Sequence, residues 1–459
     1  MWSRPSGSAP HSPIRCDLPD AQEGDRPRSK HSIVFDPQRC VGCVDCCKAC
    51  PTAAIRVRAG CAVADPDLCI DCGECIRWCR HGAMHAATAT SADLRRFKYT
   101  VALPSLTLYS QFGKDVEPGQ VLKALRSLGF DDVYDLSAMC DMHASATDAY
   151  LSECRGPWPK ISVTCPAIIH LIQLRYPDMI DNLLPIETAR ELAAKLLRRR
   201  LVAEKGLGPG DIGIFFITPC SAMLQSIHHP EALEASYLDG AFSIAEVYGP
   251  LLGAIKANGP VENPPPISER GLLWAMAGGE IAGLRNANTI TVAGVRDVLR
   301  VFDHIEEGKL QAVDFIEAYI CPDGCISGQL TVENRYAARR TVQQVVRRHG
   351  RQAGEGAAVP EEKVRAMLRE HFFDLEEHLQ ARPVRPLGRN LREAVARKRE
   401  EERVLAELPA KDCAACGAPS CAAHAEDVVR GQAALDDCVF VRIERLQEAM
   451  ASTKEPVHD

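Results

Sequence analysis

The run CVGCVDCCKACP sets Cys40, Cys43, Cys46 and Cys50 in the spacing C-x2-C-x2-C-x3-C-P. The run CIDCGECIRWCR repeats that spacing at Cys69, Cys72, Cys75 and Cys79, with Arg80 where the first repeat has Pro51. Three thiolates at this pitch wrap three irons of a 4Fe–4S cube, and the fourth cysteine of each run ligates the other cube. The spacing therefore assigns Cys40, Cys43, Cys46 and Cys79 to one cluster, and Cys50, Cys69, Cys72 and Cys75 to a second. Zinc also takes four thiolates, but two complete repeats of this pattern are hard to obtain for any other purpose. Near the end of the chain, CAACGAPSCAAHAEDVVRGQAALDDC offers Cys413, Cys416, Cys421 and Cys438. Gly417 and Pro419 suit a tight loop there. This quartet fits a further 4Fe–4S cluster, with zinc the competing ion.

The stretch IEAYICPDGCISGQL places Cys321 and Cys325 far from any of these runs. Two thiols make half of a tetrahedral site. The other half is offered by Cys165 in VTCPAI and Cys220 in TPCSAM, each at the end of a β-like apolar run. Pro166 suits the first position of a helix, which puts Cys165 at a helix N-terminus where free N–H groups favour a thiolate. Sites at the carboxyl ends of strands are also where α/β sheets place ligands. Together Cys165, Cys220, Cys321 and Cys325 close a central cubane. Cys47 and Cys61 read as packed thiols, and Cys16, Cys140 and Cys154 as binding nothing.

The elements that must position these residues follow from pattern and composition. The chain has 459 residues, 46% hydrophobic and 25% charged, which allows several domains. Its 21 cysteines are clustered, which in a reducing compartment reads as metal ligation before disulfides. A net charge of −7 gives no reason to expect nucleic acid as a partner. No apolar run is long enough for a membrane span, and the N-terminus lacks a signal-peptide core. The expected location is the cytoplasm. Residues 1–30 read as a disordered tail, 31–90 as a compact cysteine-dense unit and 91–380 as alternating strands and amphipathic helices. Residues 381–404 read as a charged, solvated linking helix, and 405–459 as a small module. The scattered histidines read as surface or satisfied core residues.

Residues 31–90 resemble the bacterial two-cluster ferredoxins. The C-terminal module is similar to the four-cysteine iron–sulfur domain of corrinoid iron–sulfur proteins. The segments VTCPAI, TPCSAM and CPDGCISGQLTVENRYAAR resemble, in order, the three signature regions of iron-only (FeFe) hydrogenases, and AGGEIAGLR is similar to their glycine-rich segment. The implied fold class is multidomain: an α+β two-cluster ferredoxin domain, an α/β hydrogenase-like domain with its cluster between two lobes, and a small helical Fe–S domain. The resemblance implies that the central cysteines hold the cubane of the H-cluster, with Cys325 also bridging to a two-iron unit carrying CO, cyanide and a dithiolate. It also places Thr164 at the relay position where hydrogen-producing members have a cysteine, and Met223 where they have a lysine. CDMHASATDAY lacks the glutamate that would continue their proton path. These departures, together with LTVEN and the C-terminal module, point to a divergent, sensory-type branch. The expected function is hydrogen or redox sensing, or very slow ferredoxin-dependent hydrogen conversion, with a redox or signalling protein as partner. The alternative is a non-catalytic electron-transfer or scaffold protein carrying cubanes alone.

Overall fold

The computed structural model describes residues 31–261, 267–285, 287–349, 361–382 and 385–452. The expected tail over 1–30 lies outside the described residues. Four short strands organise the first unit: β1 (Ile33–Phe35), β2 (Ile55–Arg58), β3 (Cys61–Ala64) and β4 (Met84–Ala86). β1 pairs antiparallel with β4, and β2 with β3. The two cysteine runs are equivalent in form. Each ends in a five-residue helix, Asp45–Ala49 or Glu74–Trp78, entered through a left-handed residue, Val44 or Gly73. Cys46, Cys47, Ile55, Ala62, Cys75 and Met84 form a small core of their own. Such a core is thin for a unit this short, so the cysteines account for much of what it can bury.

Seven more strands follow: β5 (Tyr99–Pro104), β6 (Asp132–Val133), β7 (Lys160–Ile161), β8 (Ile212–Thr218), β9 (Gly240–Ser243), β10 (Thr289–Ala293) and β11 (Phe315–Tyr319). They build two parallel sheets, ordered β6-β5-β8-β9 and β10-β11-β7. β8 and β11 are buried along their whole length, as strands covered on both faces must be. KISVTC forms a strand only at Lys160 and Ile161, although Ser162 N still donates to Ile316 O at 2.9 Å. Helices Pro166–Arg175, Ala189–Lys205 and Ser221–His228 pack between and around the sheets in one continuous core.

The charged segment departs from the expected free linker. Its helix runs Leu391–Glu407, and the Asn390 side chain accepts from Glu393 N at 2.9 Å to cap it. Val404 and Leu408 are buried against Ala425, Cys438 and Val441, so the far end of this helix belongs to the C-terminal module. That module is otherwise the helices Cys421–Val429 and Val439–Ser452. No helix among the described residues is long and apolar enough to cross a membrane.

Candidate iron–sulfur and central site

Local sequence places each central thiol. Cys165 is the N-cap of Pro166–Arg175, with Pro166 in the first turn, and Cys220 is the N-cap of Ser221–His228. Cys321 follows β11, and Gly324 turns the chain back to Cys325 with φ +82°. A Cβ on Gly324 would meet Ala277 N at 2.5 Å, so only glycine lets this loop lie on the AGGE loop. Asp323 O accepts from Ala277 N at 3.0 Å, and Ala275 O accepts from Ile326 N at 2.9 Å. The four thiols converge closely enough that each of Cys220, Cys321 and Cys325 is acted on by its neighbours' charge. Burial first, then this mutual repulsion, pushes Cys325 well up; burial pushes Cys220 up to about 12. Backbone N–H groups of Ala167 and Ile168 oppose the shift at Cys165. Four buried thiols that repel one another are poorly placed as free acids and well suited to a shared metal centre.

The same proximity sorts the first eight cysteines. Cys46 lies among Cys40, Cys43 and Cys79, and burial raises it to about 12. Cys50 lies instead among Cys69, Cys72 and Cys75. The structure thus crosses the fourth cysteine of each run over to the other triplet. Cys413, Cys416, Cys421 and Cys438 line one small cavity together with His424. His424 is buried and neither ring nitrogen has a hydrogen-bond partner. Cys47 is a packed thiol, donating to Ile55 O at 3.2 Å. Cys61 differs from its sequence reading in being disulfide-bonded.

The quartets adjoin one another. Arg77 in the second run donates to Cys321 Sγ at 3.6 Å and to Ser327 O at 2.5 Å. Ser221, next to Cys220, donates to Asp71 O at 2.7 Å. At the far side, Gly417 O accepts from Val57 N at 2.8 Å. Asp427, nearly fully buried, takes a two-point contact from Arg56 at 2.6 and 2.9 Å and a third bond from Arg58 at 2.6 Å. A Cβ on Gly417 would meet Val57 O at 1.9 Å, which fixes glycine at this junction.

Beside Cys325 a small cavity is lined by Thr164, Met223, Cys140, Thr107, Arg190 and Trp274, among others. The hydroxyl of Thr107 and Nε of Arg190 are buried there with no partner. Orphaned polar atoms around a thiol quartet fit a polar, metal-bound group better than they fit an apolar core. Cys140, read as a bystander, is therefore part of this wall, although burial keeps its thiol protonated. Two residues were given no role from sequence, although one of them lies in the quoted AGGEIAGLR segment. Glu280, in the AGGE loop, is buried, accepts from Ser162 Oγ at 2.6 Å and lies within hydrogen-bonding reach of the Thr164 hydroxyl. Burial, then the charge of Glu317, pushes it well above the usual carboxylate range. Glu317 in turn accepts from Gly278 N at 2.9 Å and Thr291 Oγ1 at 3.0 Å. A search confined to CDMHASATDAY could not find Glu280, because it comes from a distant segment.

Residues 98–251 and 270–329 match the family model described as iron only hydrogenase large subunit, C-terminal domain. This part of the chain is FeFe-hydrogenase-like. Residues 408–440 match a second model, a putative Fe-S cluster domain. Iron hydrogenase 1 of Clostridium pasteurianum is 24% identical over 263 residues, which are 47% of this hydrogenase-like chain and 46% of that protein. The chain thus spans about half the length of this curated relative. Two solved structures of FeFe-hydrogenase variants from Chlamydomonas reinhardtii are 15% and 16% identical, each with a TM-score of 0.46. Each comparison covers 64% of this chain and 97% of the other.

Proposed function

We propose that this hydrogenase-like iron–sulfur protein carries up to four 4Fe–4S clusters. Two belong to a ferredoxin-type domain over residues 31–90, one to the central quartet and one to the C-terminal quartet. The observation that carries the reading is the convergence of Cys165, Cys220, Cys321 and Cys325 beside a cavity with orphaned polar walls. In this reading Cys325 also bridges to a two-iron unit. When bound, that unit would supply an open iron position at which the H–H bond is made or split. The protein's own residues would hold it, exclude water and deliver the proton. Electrons would pass between the C-terminal or ferredoxin-type clusters and the central site, with a redox or signalling protein as partner and the cytoplasm as location.

Conversion is expected to be slow. Thr164 stands where a thiol relay would act, and a threonine hydroxyl is far too weak an acid for that work at neutral pH. Glu280, in contact with Thr164, and Cys140, in the cavity wall, are nearby groups that burial keeps protonated. That combination favours a sensor or a very slow hydrogenase of a divergent branch.

The deciding measurement is an infrared spectrum of protein matured anaerobically in a host that makes the two-iron unit. CO and cyanide bands are expected. Their absence, with the cubanes intact, would favour a second reading, a non-catalytic electron carrier or scaffold, which the unbroken succession of cysteine quartets also supports.

A further inference from the structure

Arg190 lies in the first turn of the helix Ala189–Lys205, and its side chain is inside the protein, with 6% of the residue exposed. Its Nη2 donates to Ser226 Oγ at 2.7 Å, and Ser226 donates onward to Met223 O at 3.0 Å. Its Nε has no partner. A guanidinium does not give up its charge in a protein, and a buried one is costly unless an anion meets it. Glu187 and Glu191 lie close enough to feel its charge, but their hydrogen bonds go to other groups. Glu187 accepts from the N–H and hydroxyl of Thr188 at 2.6 and 3.0 Å. Glu191 accepts from Ser236 Oγ at 2.7 Å and Tyr237 N at 2.9 Å, while Glu231 pairs with His170. Burial also raises Glu187 and Glu191, which weakens both as counter-ions.

Arg190 borders two cavities, one with Glu187, Glu191 and Ser226 and the other with Cys325, Thr164 and Met223. Four thiolates around a 4Fe–4S core carry net negative charge, and cyanide bound to iron is likewise an anionic acceptor. A fixed cation stabilises both where the surroundings are of low dielectric.

We propose that Arg190 is the counter-cation of the central site, its free N–H directed to an anionic iron-bound group beside Cys325. It does there what Met223, with no charge and no donor, cannot. The inference rests on the central-cluster reading given above. In the family pattern the cation is a lysine from the segment after the second ligand; here it comes from a different helix.

The test uses the full-length chain reconstituted anaerobically with iron and sulfide, in wild type, Arg190→Gln and Arg190→Lys, followed by EPR-monitored redox titration. Removing the positive charge destabilises the more negative, reduced cluster. In Arg190→Gln one cubane signal should therefore move to lower potential while the others stay; Arg190→Lys should hold the wild-type value. A matured sample of each adds the infrared cyanide bands. A moved potential identifies the cluster itself as the anion, and moved bands with a steady potential identify its cyanide; either supports the proposal. Unmoved potentials and bands in Arg190→Gln, at full iron content, overturn it. So does a shift in Arg190→Lys as large as that in Arg190→Gln, which would mark a packing effect. If the wild type assembles no central cubane, the central-cluster reading falls and this inference with it.

Discussion

In the proposed reading, Thr164 with Glu280 beside it forms the proton route to the cavity next to Cys325. General acid–base groups typically contribute about 10²–10⁴-fold when their pKa suits the pH, so matured wild-type protein should evolve hydrogen slowly. Thr164→Cys should raise the rate, though less than fully, because Met223 is unchanged. Glu280→Gln should lower whatever rate the wild type has; an unaffected rate would show that the proton enters by another wall. Glu191 gives a separate test of residue-level electrostatics. Burial raises its pKa to about 7, well above the usual glutamate range, despite the opposing charge of Arg190. Because the folded-state value is the higher one, the folded protein keeps this proton where the unfolded chain has lost it. The contribution is present in full below about pH 4.5 and is lost as pH rises through 7, a difference on the order of 3 kcal/mol. Glu191→Gln should therefore flatten the fall in thermal midpoint between about pH 4.5 and 7; parallel curves for the two proteins would refute the assignment.

Among the elements, the two cysteine runs and the β2–β3 hairpin carry the predictions. Cys79 belongs with Cys46 in space although it is adjacent to Cys75 in the chain. Cys79→Ala should thus alter the EPR signal of the Cys40/Cys43/Cys46 cube and spare the other. A changed second cube instead would mean that the crossing fails. The hairpin meets the C-terminal module through one carboxylate and two guanidiniums, and Asp427 is far more buried than either arginine. Asp427→Ala removes the acceptor of three charge-assisted bonds and should cost about 1–3 kcal/mol. Limited proteolysis should then release the module from a chain that wild-type conditions keep whole. Equal resistance in the two proteins would show that the Val57–Gly417 contact suffices alone.

Across the whole molecule, four quartets in succession imply about 16 irons per chain, or about 18 with a two-iron unit. A reconstituted protein that stops near 8 irons, with zinc in the remainder, would remove the central and C-terminal assignments. How much of this was readable in the sequence differs by site. In the ferredoxin-type and C-terminal quartets three ligands lie in one short run, and the fourth follows at a recognisable spacing, from the other run in the ferredoxin-type pair. Spacing alone was therefore enough to group them, and Pro166 was enough to put Cys165 at a helix start. The central quartet has ligands from the ends of β7, β8 and β11, and the pairing of β11 with β7, the turn at Gly324 and the bond from Leu330 N to Pro219 O beyond β8 bring them together. The cavity walls were less legible still. Arg190 reads in sequence as one more charge on an amphipathic helix, Glu280 as part of a glycine-rich turn and Cys140 as a spare thiol. Sequence determined which atoms could bind iron, because ligation depends on residue type and short-range spacing. Tertiary structure decided which charges face that iron, because burial and the direction of a side chain are set by everything packed around it.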